Sequence, residues 1–276
     1  MAKVQKQNQP EKKYKNREFI SSMDGRTIRL LAEYLEPQQR FKNLNIADTI
    51  AFFGSARIKS KKAANAEMNK VKKMDPKKTS NFAQILRKAQ QDVEMSCYYE
   101  DAVELSRMMT EWSKSLSTDS KRFIVCTGGG PGIMEAANRG AKKAGGVSVG
   151  LGISIPMEQG NNEFIEQNLS FEFHYFFMRK FWFAYLSKAL VIFPGGFGTM
   201  DEMFELITLI QTQKIRKKLA IIIYGEKFWK EIINFEALAQ HGMISKNDLK
   251  LLSFVNTPDE AFKVLTDHLQ KNFGIK

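Results

Sequence analysis

Residues 190–202 read Leu190-Val191-Ile192-Phe193-Pro194-Gly195-Gly196-Phe197-Gly198-Thr199-Met200-Asp201-Glu202. Four apolar residues in succession, two of them β-branched, suit a strand buried on both faces. A glycine-rich turn follows at once, and apolar residues at helical spacing continue to Gln211. A buried strand passing through a tight turn into a helix is the repeating unit of a parallel sheet. The same unit occurs twice upstream. Thr49-Ile50-Ala51-Phe52-Phe53 runs into Gly54-Ser55-Ala56-Arg57. Phe123-Ile124-Val125-Cys126 runs into Thr127-Gly128-Gly129-Gly130-Pro131-Gly132 and then a helix over 133–144.

Working outward, further strands are expected at 147–155 and 169–173, with 219–224 the last. Helices are expected at 176–187, 200–211, 228–236, 246–252 and 258–272. Strand and helix alternate, and parallel strands need crossovers, so the predicted fold class is α/β: an open parallel Rossmann-like sheet with helices on both faces. Ahead of the first strand, residues 1–17 are polar and basic and read as a disordered tail. Residues 18–36 carry Phe19, Ile20, Met23, Ile28, Leu31 and Leu35 near helical spacing, and Pro37 is expected to end that helix. Residues 59–96 read as a Lys-rich insertion between the first strand and its crossover helix, cut by Asp75-Pro76. Residues 18–276 thus read as a single domain carrying that N-terminal helix and that insertion.

The formal net charge is +12 and is unevenly placed. Residues 1–90 hold 21 Lys/Arg against 8 Asp/Glu, and the remainder holds 21 against 22. The basic character therefore belongs to the N-terminal third, where solvated lysines account for it and nucleic acid is a possible but less favoured partner. No run approaches the roughly 18 apolar residues of a membrane span. Two unpatterned cysteines, Cys97 and Cys126, imply neither a disulfide framework nor a zinc site, and a cytoplasmic location fits. The three histidines lack metal spacing, so no metal and no cofactor is expected.

In an open α/β sheet, ligands sit beyond the carboxyl ends of the strands where the strand order reverses. The three turns all lie at strand ends and can share one crevice. A helix that starts after a glycine-rich turn offers free N–H groups and the positive end of its dipole to an anion. Gly54, Gly129, Gly130, Gly132, Gly195, Gly196 and Gly198 let the backbone approach closely. Ser55, Thr127 and Thr199 add hydroxyls, and Arg57 adds a two-pronged phosphate donor. The chain has neither the G-x-G-x-x-G of dinucleotide folds after its first strand nor a P-loop. A phosphate-bearing small molecule is the ligand this pattern implies.

The stretches Gly128–Asn138 and Pro194–Glu202 resemble the paired motifs of the LOG (Lonely Guy) family, whose members were often mislabelled lysine decarboxylases. The resemblance covers Ile50–Ile58 and then Tyr98 to His268. It implies hydrolysis of the N-glycosidic bond of nucleoside 5′-monophosphates, in some members releasing a cytokinin base. It also implies that Arg179 and Glu202 are catalytic, that Lys180 completes the Arg-Lys pair, and that Gly195, Gly196, Gly198 and Thr199 cradle phosphate. Glu158 and Thr208 stand where the family has further ligand contacts. The sequence departs from the plant-type pattern just before Arg179, reading Phe176-Phe177-Met178 where that pattern has Met-His-Glu.

Cleaving a ribose–base bond develops positive charge on the sugar. A carboxylate such as Glu202 can stabilise that charge or activate water, and Arg179, always charged, can orient it. Glu135 and Glu158 are candidates for protonating the leaving base. The aromatic helix at 176–187 reads as core or as a subunit interface, so a homo-oligomer, a dimer or larger, is expected. A second reading is a non-catalytic nucleotide, molybdenum-cofactor or single-stranded DNA binding protein of related fold. The presence of both Arg179 and Glu202 favours the hydrolase. A pyridoxal decarboxylase has no motif to support it.

Overall fold

The computed structural model describes residues 10–154 and 160–274. Seven strands form one sheet, all pairs parallel, in the order β4-β3-β2-β1-β5-β6-β7. They are β1 (Thr49–Phe53), β2 (Ile124–Thr127), β3 (Ser148–Ile153), β4 (Ser170–Phe173), β5 (Ser187–Ile192), β6 (Ala220–Tyr224) and β7 (Leu252–Val255). The chain adds β2, β3 and β4 outward on one side of β1, then returns to lay β5 against its other side. The order therefore reverses between β1 and β5, which is where such sheets bind ligands.

Helices cover both faces, as the alternation predicts. They are α1 (Arg17–Ser21), α2 (Arg26–Asn43), α3 (Lys61–Val71), α4 (Phe82–Ser115), α5 (Ile133–Lys143), α6 (Phe176–Leu186), α7 (Phe197–Gln211), α8 (Glu226–Ile232), α9 (Phe235–Gln240) and α10 (Pro258–Phe273). Side chains alternate across a strand, and the core divides accordingly. Ile50, Phe52, Val125 and Val191 pack against α4, α5 and α10. Ala51, Phe53, Leu190 and Ile192 pack against α2, α6, α7 and α8. Among the described residues no helix is long and apolar enough to cross a membrane.

Several boundaries differ from the sequence reading. The N-terminal region is not one helix over 18–36. A 3₁₀ turn at Lys13–Lys15 lies within the segment read as a disordered tail, α1 begins at Arg17, and α2 continues through Pro37 to Asn43. Pro37 cannot donate to the carbonyl of Glu33 one turn earlier. That carbonyl instead accepts from the Trp182 indole N–H of α6 at 3.0 Å. The Glu33 carboxylate also accepts from the backbone N–H groups of His174 and Tyr175, just ahead of α6, at 2.8 and 3.3 Å. The proline thus frees a carbonyl that docks α6.

The Lys-rich insertion forms α3 and the first part of α4, and α4 then runs on unbroken as the crossover helix. The helix expected at 228–236 is two, because the Asn234 side chain accepts from Ala237 N and starts α9 afresh. The helix expected at 246–252 is a 3₁₀ turn, Asp248–Leu251, leading into β7. This edge strand is too short to show a period, and its pairing with β6 outweighs local preference.

Replacing Trp182 with Phe removes the donor to the Glu33 carbonyl, and about 1–3 kcal/mol of stability should be lost. Adding Pro37→Ala restores an intrahelical N–H and should recover part of that loss. Urea unfolding of the two single variants and the double variant measures the coupling.

Candidate active site at the strand switch point

The three turns meet through one residue. Ser55 N–H donates to the Pro194 carbonyl at 3.0 Å, and the Ser55 carbonyl accepts from Ile133 N–H at 3.2 Å. The β1 turn is thereby bonded to the β5 turn on one side and to the start of α5 on the other. A cleft of about 1160 Å³ opens there. Gly54, Ser55, Arg57, Arg179, Gly195, Gly196, Gly198, Thr199 and Glu202 all line it.

On the β5 side, the first intrahelical bond of α7 runs from Met200 N to Gly196 O at 3.0 Å. The N–H groups of Phe197, Gly198 and Thr199 precede it and lie at the positive end of the helix. A methyl group at Gly195 would overlap the Thr199 hydroxyl, whereas at Gly196 or Gly198 it would enter open space. Glycine at 195 is therefore a packing requirement, and at 196 and 198 it keeps the approach to the helix end clear.

Beyond the cradle, Glu202 is only 3 % exposed. Arg179 of α6 donates through Nη2 to Glu202 Oε1 at 2.8 Å. Its Nε is buried with no hydrogen-bond partner among the described residues. The guanidinium also lies over the rings of Phe176 and Phe183, 5.2 and 5.8 Å from their centroids. Burial pushes the Glu202 carboxyl pKa up, and Arg179 and then Lys180 pull it back without cancelling the rise. Lys180 points the other way, pairing with Asp201 at 2.8 Å and Glu205 at 2.9 Å. Burial disfavours its ammonium, but the two carboxylates outweigh burial and raise its pKa.

The remaining sequence candidates lie elsewhere. Gly129, Gly130 and Gly132 are buried and do not line the cleft. Gly129 has φ +77°, and a methyl there would overlap Asn161. Its N–H is taken by Thr127 Oγ1 at 2.9 Å. Asn162 Nδ2 donates to the carbonyls of Gly129 and Gly130, at 2.9 and 3.2 Å, and to Asn138 Oδ1 at 3.0 Å. Thr127 Oγ1 also donates to Asn138 Oδ1 at 2.8 Å. The second turn is thus bonded into an asparagine network in which Asn138 closes the motif and Asn162 lies outside it, and Asn residues beside glycines are common turn-formers. Glu135 accepts from the Tyr99 hydroxyl at 2.6 Å, away from the cleft lining. Thr208 is exposed and donates to its own helix at Phe204 O, beside a smaller hollow on the outer side of α7. Glu158 lies outside the described residues.

An open parallel sheet with a helix end and a buried Arg–Glu pair at its switch point defines an α/β protein with a crevice suited to a phosphate-bearing ligand. Comparison with known proteins narrows this. Residues 134–265 match the family model described as possible lysine decarboxylase. The chain is 25% identical over 148 residues to the cytokinin riboside 5′-monophosphate phosphoribohydrolase LOG4 of Arabidopsis thaliana, covering 52% of this chain and 67% of that relative. Over the region these matches cover, the chain is similar to the LOG family, the family its two glycine-rich motifs resemble. Similar solved structures include the molybdenum cofactor carrier protein of Chlamydomonas reinhardtii, at 17% identity and TM-score 0.47, over 80% of this chain and 98% of that one. Another is the molybdenum cofactor binding protein of Rippkaea orientalis, at 15% identity and TM-score 0.41, over 80% and 94%.

The two glycine-rich turns should respond differently to a methyl group. Gly129→Ala strains a positive-φ position and displaces Asn161, so its melting temperature should fall. Gly196→Ala should melt near the wild type but bind inorganic phosphate more weakly. Thermal melts and calorimetric titration separate the two.

Proposed function

We propose that this protein hydrolyses the N-glycosidic bond of nucleoside 5′-monophosphates, consuming water and releasing free base and ribose 5-phosphate. The observation that carries the reading is the buried Arg179–Glu202 pair beside the α7 N-terminus. The 5′-phosphate accepts hydrogen bonds from the free N–H groups of α7, with the Thr199 hydroxyl beside them. The ribose then lies next to Glu202. As the bond to the base lengthens, the sugar gains positive charge, and a carboxylate in a water-poor site stabilises it more than bulk solvent does. Glu202 also takes a proton from the attacking water. Arg179 holds the carboxylate in position and offers its remaining donors to the substrate.

The similarity to the Arabidopsis phosphoribohydrolase supports the reaction class. The activity in the name of the Arabidopsis relative makes N⁶-substituted adenine nucleotides one class to assay beside AMP, GMP, CMP and UMP. Free base should appear from at least one of these without added cofactor. Its absence from all would refute the reading. Glu202→Gln should lower kcat by about 10²–10⁴-fold with little change in nucleotide affinity. Arg179→Ala leaves a buried carboxylate unpaired and should cost about 3–5 kcal/mol of stability as well as activity.

The pH profile follows from the same burial. Glu202 acts as the carboxylate, and its raised pKa means protonation sets in at a higher pH than for an exposed glutamate. The acid limb of kcat/KM should therefore lie above the ordinary glutamate range. A limb within that range would remove Glu202 from the role.

We further propose a homo-oligomer that covers the apolar face of α2 and α6. Leu31, Leu35, Phe177 and Tyr185 are each more than half exposed there, at 53%, 53%, 58% and 56%. The two helices are in contact through Tyr34 and Phe181, whose ring centroids are 5.6 Å apart. Exposed apolar side chains on two packed helices suit an association surface. Sedimentation velocity should give a multimer for the wild type and a smaller species for Phe177→Glu; a monomeric wild type refutes the proposal.

A further inference from the structure

The first part of α4, which comes from the Lys-rich insertion, turns one face to the cleft. Lys88, Gln91, Asp92 and Met95 are spaced i, i+3, i+4, i+7, which aligns them in one stripe, and all four line the cavity. The stripe lies outside the residues that match the family model. Asp92 anchors it: its side chain is 6% exposed and pairs with Lys59 at 2.9 Å and with Lys88. Lys59 follows Arg57 by two residues, so this contact ties the β1 turn to α4. A second tie runs from Lys61 N–H to Glu100 Oε1 at 2.9 Å. A buried carboxylate held between two cations resists displacement, because moving it away from both would leave its charge uncompensated. The insertion is thus a fixed wall of the cleft.

The chemistry of that wall differs from the rest of the site. The phosphate has its donors at α7 and the ribose its carboxylate at Glu202. Lys59 and Lys88 are both engaged by Asp92. What the stripe presents to the cleft is the exposed Gln91 amide beside the half-buried Met95 thioether. An amide carries an acceptor and two donors and can pair with the edge of a base, as in adenine readout by Gln. A flexible thioether packs well against an aromatic face.

We propose that Gln91 and Met95, on the wall anchored by Asp92, form the nucleobase subsite and set which base is released. The inference rests on the phosphoribohydrolase reading and adds that selectivity comes from the insertion. Asp92 acts as a positioning residue.

The test combines turnover with binding. Gln91→Ala and Met95→Ala change side chains that are not fully buried. For the preferred nucleotide among AMP, GMP, CMP and UMP, kcat/KM for base release should fall about tenfold or more. The poorer nucleotides should lose less, so discrimination narrows. Ribose 5-phosphate, which has no base, should bind as tightly as to the wild type. Asp92→Asn should narrow discrimination through KM, with kcat held. Unchanged ratios across the four nucleotides, or an equal loss of ribose 5-phosphate affinity, overturns the proposal. If the wild type releases no base, the phosphoribohydrolase reading fails separately. The subsite is then read from calorimetric Kd values for the four nucleotides, and identical Kd ratios in wild type and Gln91→Ala overturn it.

Discussion

The peptide groups of Ser55 bond outward in two directions, to Pro194 after β5 and to Ile133 at the start of α5. Both groups are spent on neighbouring turns, and three chain segments are held at fixed separation around one crevice. An unpaired peptide group at a buried site is costly, so each segment restrains the other two. The close packing of Gly54 on the Ile133 side chain belongs to the same arrangement. The cleft, the orientation of α7 and the placement of Arg57 all depend on it.

On this frame the candidate chemistry is assembled from both sides of β5. Arg179 and Lys180 project from α6, and Glu202, Asp201 and Glu205 from α7. A carboxylate as buried as Glu202 is costly unless paired, and removing its partner would cost more than the pair contributes. The ion pair therefore specifies how α6 lies against α7. Further out, α6 is held by Glu33, through its backbone carbonyl to Trp182 and its carboxylate to His174 and Tyr175. The N-terminal region thus reaches the site indirectly, through the helix that carries Arg179.

The second glycine-rich turn has a different part. Its residues look as suited to an anion as those after β5, yet the Gly129 N–H and the Gly129 and Gly130 carbonyls are occupied by Thr127 and Asn162. Two motifs of similar composition therefore do different work. After β5 the turn residues line the cleft, and after β2 the Gly129 N–H and the Gly129 and Gly130 carbonyls are closed into a network beside it. Composition reports that the backbone comes close to something, and the hydrogen-bond partners decide to what.

Periodicity and turn chemistry within a few residues were enough to read the parallel sheet, the helices on both faces, six of the seven strands and the glycine-rich turns at the strand ends. These are local properties: an apolar run of four to six residues or a glycine after a strand carries its meaning alone. Arg179 and Glu202 were singled out through the motifs around them, and the structure pairs them. Features that depend on distant partners were not. Pro37 reads as a helix end until Trp182 satisfies the carbonyl it leaves free. Leu252–Val255 is a strand because β6 lies beside it. The stripe on α4 reads as part of a solvated lysine-rich segment until Asp92 is seen buried between Lys59 and Lys88. The sequence by itself determined the order and kind of the elements, because backbone preference and apolar period act over short spans. The tertiary structure alone decided which polar groups meet and which are shut from water, because hydrogen bonds and ion pairs form between atoms that are near in space and far apart in the chain.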